Sequence, residues 1–191
     1  MEQPNQTVNK SDAEGFRHDG YAVVRNLFTP DEVDELRATF MAEGAGGPVD
    51  GLSDPHWKDC ADDDPLRTMP RMMHPHRHPE RKIGPLAMRH MLAPRLRDVL
   101  ETLMGEPVVA AQSMFYFKPP GARGQDLHQD NFYLRVHPGT CCAMWLAIDD
   151  SDDENGGMRV VPGTGDLAVA CPEKADKSQY FTSDHVEPPA G

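Results

Sequence analysis

His128 and Asp130 are the residues of this sequence whose types and spacing best fit a metal site. Side chains two residues apart on an extended strand project to the same side, so this imidazole and this carboxylate can bind one metal ion together. A second histidine from elsewhere would complete a facial triad of two histidines and one carboxylate, which leaves open positions on iron(II) for oxygen chemistry. The His-x-Asp pattern alone is common, so its meaning depends on the surrounding sequence.

The elements that must position this pair change in character along the chain. Helices are predicted in the first half, one before Gly20, one that begins at Thr29 and Pro30, and one that ends at Gly105. Short strands are predicted mainly in the second half, separated by glycine and proline turns. The strand candidates are 21–28, 108–118, 132–136, 140–149 and 158–163. Helices followed by short strands indicate an α+β protein with a β-sandwich or barrel core.

The bulk composition predicts one globular domain over residues 1–191, with 38% hydrophobic and 26% charged residues. The net charge of −12 repels phosphate backbones and anionic membranes, so neither a nucleic-acid nor a membrane partner is expected. The N-terminus lacks the apolar segment of a signal peptide, and no apolar run approaches the ~20 residues of a membrane span. A cytoplasmic location is therefore predicted, whereas the oligomeric state stays open.

An ordered set of motifs around the pair resembles the phytanoyl-CoA dioxygenase family of iron(II)/2-oxoglutarate-dependent oxygenases. The stretch "FRHDGYAVVRNLFTPDEVDELR" (16–37) is similar to the N-terminal opening of that family. "FKPPG" (117–121) leads into "LHQDNFY" (127–133), which contains the metal pair. "MWLAIDDSDDENGGMRVVPGTG" (144–165) is similar to the strand, Asn-Gly turn and Pro-Gly segment that follow it. The resemblance is specific over 114–165.

This resemblance implies a double-stranded β-helix, a jelly-roll-like pair of sheets with the metal between them at one end. It implies that His128 and Asp130 are the catalytic metal ligands, with iron(II) as cofactor and 2-oxoglutarate and O2 as cosubstrates. The implied reaction hydroxylates a small organic substrate and releases succinate and CO2. The residues that the resemblance implies near the cosubstrate are Met114, Lys118, Trp145 and Arg71. Ordinary packing is the alternative role for these side chains.

The resemblance also implies a second histidine ligand after the Pro-Gly segment, followed by an arginine that binds the distal carboxylate of 2-oxoglutarate. In the family, an Ala-Gly pair similar to Ala190-Gly191 opens the strand that leads to this histidine. The expectation is therefore an incomplete domain whose C-terminal strands lie beyond this sequence. His185 follows the Pro-Gly segment, but no arginine follows it, so a loop histidine is the alternative to a ligand.

Residues 44–82 form an irregular segment rich in glycine and proline, which is predicted to be a lid that selects the substrate. We call it the lid segment. Within it His74, His76 and His78 alternate and could bind zinc or copper on an extended backbone, whereas the prolines between them favour a solvated loop.

The function predicted from the sequence is thus an iron(II)/2-oxoglutarate-dependent dioxygenase. The main alternative is a non-catalytic β-sandwich module, or an inactive fragment, that keeps the fold without a complete metal site. A third possibility is a histidine-rich metal-binding protein that uses residues 74–78.

Overall fold

The structure is a computed structural model that describes residues 8–188, and its helices lie mainly in the first half of the chain. In chain order, the elements are α1 (Lys10–Asp19), α2 (Pro30–Gly44), a 3-10 helix (Pro55–Asp59), α3 (Pro65–Thr68), β1 (Met72–Met73), a second 3-10 helix (Pro75–Arg77), α4 (Ile83–Met91), α5 (Pro94–Met104), β2 (Met114–Phe115), α6 (Asp130–Leu134), β3 (Glu173–Lys174) and β4 (Asp184–His185). None of the helices in this described range is both long and apolar enough to cross a membrane.

Local sequence signals determine where the longer helices begin and end. The side chains of Thr29 and Glu32 form a reciprocal capping box at the start of α2, and Pro30 occupies the first helical position. Gly20 ends α1 and Gly105 ends α5, both in the left-handed conformation (φ 81° and φ 75°) that glycine adopts without a steric penalty. These boundaries confirm the predictions from the sequence.

The main apolar core joins α2, α4 and the lid segment to the strand β2. It contains Leu36, Phe40, Leu52, Met72, Ile83, Leu86, Ala87 and Phe117. The rings of Phe40 and Phe115 stack with their centroids 4.1 Å apart. Gly44 ends α2 directly against Phe117, where a Cβ atom would lie 2.8 Å from the ring. This core therefore fixes both partners of the β1–β2 pair.

The lid segment is part of this apolar core and is not only a loop on the surface. Leu52 is fully buried and Met72 is 3% exposed. Backbone hydrogen bonds tie the segment together, because Asp54 N donates to Arg71 O (2.9 Å) and Met73 N donates to Leu52 O (2.6 Å). As a result Arg71, next to the buried Met72, has a well-defined position.

Strand pairing is limited to two antiparallel ladders. β1 pairs with β2 through Met72–Phe115 and Met73–Met114, and β3 pairs with β4. Each of the four strands between residues 8 and 188 has two residues, so the structure does not confirm the predicted double-stranded β-helix. Apolar β-branched residues favour an extended backbone, but a strand also needs a hydrogen-bonded partner along its length.

The strand predictions were wrong for most of the candidate segments. In 21–28, 140–149 and 158–163 the described backbone forms no ladder, and within 108–118 only Met114–Phe115 does. Residues 132–136 instead belong largely to the short helix α6. The side chain of Asn131 accepts a hydrogen bond from Val136 N (2.7 Å), a local contact that competes with an extended conformation.

Candidate metal centre

The imidazole of His128 is held in one orientation by the backbone. Its Nδ1 lies 2.7 Å from the carbonyl oxygen of Asp126, so Nδ1 carries the proton and donates it to that oxygen. In the neutral ring this arrangement places the lone pair on Nε2, which is how a second hydrogen bond usually orients a metal-binding histidine. The hydrogen bond with Asp130, followed by the one with Asp126, raises the pKa of His128, whereas burial opposes this shift.

Asp130 meets His128 from the first turn of α6. Its Oδ1 lies 3.2 Å from His128 Nε2, and this hydrogen bond lowers the pKa of the carboxyl group. Neighbouring ligands of an octahedral ion with bonds of about 2.1 Å are about 3 Å apart, so the two atoms already have the separation of a shared metal. The predicted strand geometry is wrong here, but extended backbone at Gln129 (φ −104°, ψ 123°) still brings both side chains together.

The segment that carries His128 is paired with the C-terminal part of the described chain. Gly124 N donates to Gln179 O (3.1 Å), and Phe181 N donates to Gly124 O (2.9 Å). Val186 N then donates to Leu127 O (2.8 Å), one residue before the histidine. These non-local hydrogen bonds fix the backbone on which the candidate ligand lies.

Arg71 lies close to this site and is nearly buried. Its Nε is 2.5 Å from Asp54 Oδ2, and its Nη1 donates to the hydroxyl of Tyr116 (2.8 Å) and to Gln125 Oε1 (3.3 Å). Its guanidinium also stacks near the rings of Tyr116 (5.4 Å) and Phe181 (5.1 Å). Of the four residues implied near the cosubstrate, Arg71 has the most direct connection to His128.

Of the other three residues implied near the cosubstrate, Met114 lies near the metal pair, and Lys118 and Trp145 do not. Met114 Sδ lies 3.8 Å from the Tyr116 hydroxyl, so it belongs to the Arg71 surroundings. Lys118 Nζ instead donates to the carbonyl of Arg123 (3.3 Å), and burial lowers the pKa of this amine. Trp145 is 48% exposed and makes no hydrogen bond or ring contact with residues in the described range. Neither Lys118 nor Trp145 is linked to the metal pair by a described contact.

His185 lies beside the site but faces carboxylates. Its Nδ1 is 3.1 Å from Asp126 Oδ2 and its Nε2 is 3.3 Å from Glu187 Oε2, both at ion-pair distance. These contacts raise the pKa of His185, with the Asp126 carboxylate as the main cause. The buried Nδ1 has the distance of an ion pair with Asp126 but not the geometry of a hydrogen bond, and no described contact joins either ring nitrogen of His185 to Asp130.

The three alternating histidines of the lid segment are neither extended nor fully solvated. His74 and His78 flank the 3-10 helix Pro75–Arg77, His76 lies within it, and all three are partly buried. His76 Nδ1 lies 2.7 Å from Ser113 Oγ, and His78 Nδ1 lies 3.2 Å from Glu80 Oε1. Over residues 8–188, no group of three or more His, Cys, Asp or Glu side chains could hold a metal ion, at this place or at His128.

Two further side chains contact His128 that the sequence did not single out. Gln125 Nε2 lies 3.1 Å from His128 Nε2. The ring of Tyr133 lies edge-on to the imidazole at 5.8 Å, and its hydroxyl donates to Asp184 Oδ2 (3.1 Å). Burial, and then this carboxylate, raises the pKa of Tyr133 to about 12. Gln125 is three residues before His128, and this spacing alone could have suggested a contact between them. The orientation of its amide could not be predicted, because it depends on Arg71 and Tyr116.

Comparison with known proteins gives one family for this chain and several named relatives. Residues 16–188 match the family model described as Phytanoyl-CoA dioxygenase (PhyH). Similar curated proteins include a phytanoyl-CoA dioxygenase domain-containing protein 1 of Danio rerio, which is 27% identical over 82% of this chain and 65% of its own length. An ectoine dioxygenase of Sphingopyxis alaskensis is 27% identical over 92% of this chain and 56% of its own length.

A rice protein named phytanoyl-CoA dioxygenase 1 is 30% identical over 46% of this chain and 31% of its own length. The matched part of this chain therefore spans between about a third and two thirds of these relatives. No solved structure matches the chain significantly.

Proposed function

The chain belongs to the phytanoyl-CoA dioxygenase family, and from this premise we propose that it is part of an iron(II)/2-oxoglutarate-dependent oxygenase. The single observation that supports this most is the convergence of His128 Nε2 and Asp130 Oδ1 at 3.2 Å, with the imidazole oriented by a backbone carbonyl. The reaction proposed is hydroxylation of a small organic substrate with release of succinate and CO2. A cytoplasmic location is part of the same proposal.

His128 and Asp130 are suited to hold iron(II) as two of its protein ligands. A neutral imidazole nitrogen and a carboxylate oxygen are the donors of the two-histidine, one-carboxylate triad. When bound, iron(II) with 2-oxoglutarate and O2 would supply the oxidising power of the reaction. The protein contributes the fixed tautomer of His128 through the Asp126 carbonyl, and the ring of Tyr133 lies edge-on to the imidazole.

The role proposed for the cosubstrate residues follows the same contacts. Arg71 supplies positive charge next to His128, and Met114 lies beside it through Tyr116, so these two residues are the better candidates near 2-oxoglutarate. Lys118 and Trp145 stay in the proposal from the family resemblance alone. The lid segment 44–82, which contains Arg71, is proposed to contact the substrate, and the double-stranded β-helix is the architecture that the family implies.

The test is the formation of succinate from 2-oxoglutarate by protein purified at its native length. Succinate is expected only when iron(II) and O2 are both present, and Asp130→Ala should lower its rate by more than the ~10–100-fold that loss of an outer-shell partner costs, because the carboxylate is itself a proposed ligand. Asp153→Ala is the matched control, because this carboxylate has an 83% exposed side chain and, among residues 8–188, pairs only with Arg159. Equal rates in Asp130→Ala and wild-type protein would refute the proposal.

A second candidate function is a non-catalytic module of the same family. It is favoured by the observation that, over residues 8–188, no third His, Cys, Asp or Glu side chain joins His128 and Asp130 in a group that could hold a metal ion. Such a module would bind no iron(II) through His128 and would form no succinate, so the same assay distinguishes the two functions.

A further inference from the structure

Gln125 contacts the one atom of His128 that a metal ion requires. Its carboxamide nitrogen lies 3.1 Å from His128 Nε2, and the other ring nitrogen is already bound to the Asp126 carbonyl. A neutral imidazole with its proton on Nδ1 has a single lone pair, on Nε2. In that state Nε2 accepts a hydrogen bond from Gln125, and in the protonated state Nε2 donates to Asp130 Oδ1 at 3.2 Å.

The neighbours of Gln125 determine which end of its amide faces the histidine. Its Oε1 lies 3.3 Å from Arg71 Nη1 and 3.2 Å from the Tyr116 hydroxyl. A guanidinium can only donate hydrogen bonds, so the oxygen of the amide must face Arg71 and the nitrogen must face His128. Rotating the amide by half a turn would bring two donors together, because the NH2 group would then face Arg71.

Arg71 is itself held firmly, so the amide of Gln125 has little freedom. Its Nε pairs with Asp54, which is 7% exposed, and its own side chain is 16% exposed. The aromatic rings of Tyr116 and Phe181 lie on its guanidinium. A buried, hydrogen-bonded ion pair of this kind is costly to disturb. A continuous chain of contacts therefore runs from Asp54 in the lid segment to His128.

We propose that Gln125 acts as a latch: in protein without bound metal, its amide N–H occupies the lone pair of His128 Nε2 that a metal ion would need. Arg71 and Tyr116 hold the Gln125 amide in this orientation. A metal ion and the Gln125 amide compete for the same lone pair. Metal loading must therefore break the Gln125–His128 hydrogen bond, and this break couples the metal site to the lid segment. Gln125 is a positioning residue in this role, and the inference rests on the proposed function.

The test is the affinity of the metal-free protein for manganese(II), a redox-stable substitute for iron(II), followed by electron paramagnetic resonance at mildly alkaline pH. Gln125→Leu removes the competing N–H at similar side-chain volume. The variant should therefore bind manganese(II) about three- to tenfold more tightly, which is the affinity ratio that corresponds to the net free energy of one hydrogen bond. Tyr116→Phe removes one of the two groups that hold the amide and should give a gain of about twofold, within the same range. If Gln125 only supported the structure of the site, both substitutions would instead weaken manganese(II) binding.

Matched controls separate the latch from the site itself. Gln179→Leu changes an exposed side chain whose amide donates to Asp176 Oδ2, and it keeps the backbone carbonyl that accepts from Gly124 N, so it should leave the affinity unchanged. His128→Ala should abolish the binding. Absence of any His128-dependent manganese(II) binding in the wild-type protein would overturn the proposed function. Normal His128-dependent binding that is unchanged or weaker in both Gln125→Leu and Tyr116→Phe would overturn the latch alone.

Discussion

At the scale of single residues, the site depends on contacts between parts of the chain that are far apart in sequence. Asp126 orients His128 through its carbonyl oxygen, while its buried carboxylate faces His185 on β4. One residue thus connects the candidate ligand to the C-terminal strand pair. This connection should be visible in the pH dependence of stability.

The raised pKa of His185 predicts a stability that decreases with rising pH in metal-free protein. A group with a raised folded-state pKa contributes fully below its unfolded value of about 6.5, and the contribution is lost as the pH rises through the folded-state pKa. His185→Gln should therefore make the decrease of the unfolding free energy above about pH 6.5 less steep. Chemical denaturation of both proteins at a series of pH values below and above about 6.5 measures the free energy of unfolding and its pH dependence.

His18→Gln is the control for this experiment, because His18 pairs with its neighbour Asp19 and has an 87% exposed side chain. This exposed pair should contribute little to stability, so His18→Gln should leave the free energy of unfolding nearly unchanged. A His185→Gln profile that is as steep as the wild-type profile would show that Asp126 does not stabilise the charged imidazole.

The residues that the sequence could predict are those whose chemistry is local. His128 and Asp130 are two positions apart and were identified from their types and spacing, and their side chains do converge. Gln125 is three positions from His128 in the chain, but the orientation of its amide depends on Arg71, a residue 54 positions away. No periodicity or motif encodes such a contact, because it arises from the packing of the lid segment.

At the scale of elements, α4 is positioned by the close approach of Gly84 to the lid segment. A Cβ atom at this glycine would lie 2.0 Å from the carbonyl oxygen of His78, which is backbone and cannot move aside. Gly84→Ala should therefore lower the free energy of unfolding by about 1–3 kcal/mol, the typical cost of overpacking. Thermal or chemical denaturation checks this.

Gly15→Ala is the matched substitution in α1, where a Cβ atom would meet nothing within 4 Å. Alanine favours a helix over glycine by about 0.5–1 kcal/mol, so this variant should be more stable than the wild type. Equal effects of the two substitutions would contradict the described packing of α4 on the lid segment.

Arg123 connects the loop before α3 to the segment that precedes β4. It pairs with Asp64 at 2.5 Å, and its Nη1 donates to the carbonyls of Lys177 (3.1 Å) and Tyr180 (3.3 Å). Arg123→Ala leaves the nearly buried Asp64 without its cation and should destabilise the protein by about 2–3 kcal/mol, below the range for fully buried pairs. Equilibrium denaturation measures the difference.

Arg97→Ala provides the comparison, because Arg97 pairs with the adjacent Asp98 and both side chains are more than half exposed. Its effect should stay within about 0.5 kcal/mol, as for most exposed pairs. A loss for Arg123→Ala as small as that for Arg97→Ala would mean that the contacts of Arg123 do not stabilise the fold.

At the scale of the whole molecule, the long helices of the first half were predictable, whereas most of the strands and their pairing were not. Capping boxes and glycine stops are local signals, and they placed α2 and the end of α5 correctly. Candidates such as 140–149 have the composition of strands but form no ladder in the described structure. Pairing is a non-local property, so β-branched and aromatic residues alone cannot specify it.

This difference predicts uneven hydrogen exchange across the 191-residue chain. The amides of α2 and α5 lie in regular helices that pack on the core, so they should exchange slowly. The amides of 108–113 and 142–148 donate no backbone hydrogen bond to the described residues, so they should exchange far faster. Mass spectrometry after deuterium labelling measures this. Equal protection of 142–148 and α2 would indicate a complete sheet instead.

The central claim is that His128 and Asp130 hold the iron, and anaerobic calorimetry of iron(II) binding tests it most directly. We expect wild-type protein to bind iron(II), His128→Ala and Asp130→Ala to lose this binding, and His185→Ala to keep it, because both nitrogens of His185 face carboxylates. Iron(II) binding that survives in His128→Ala and disappears in His185→Ala would contradict the account.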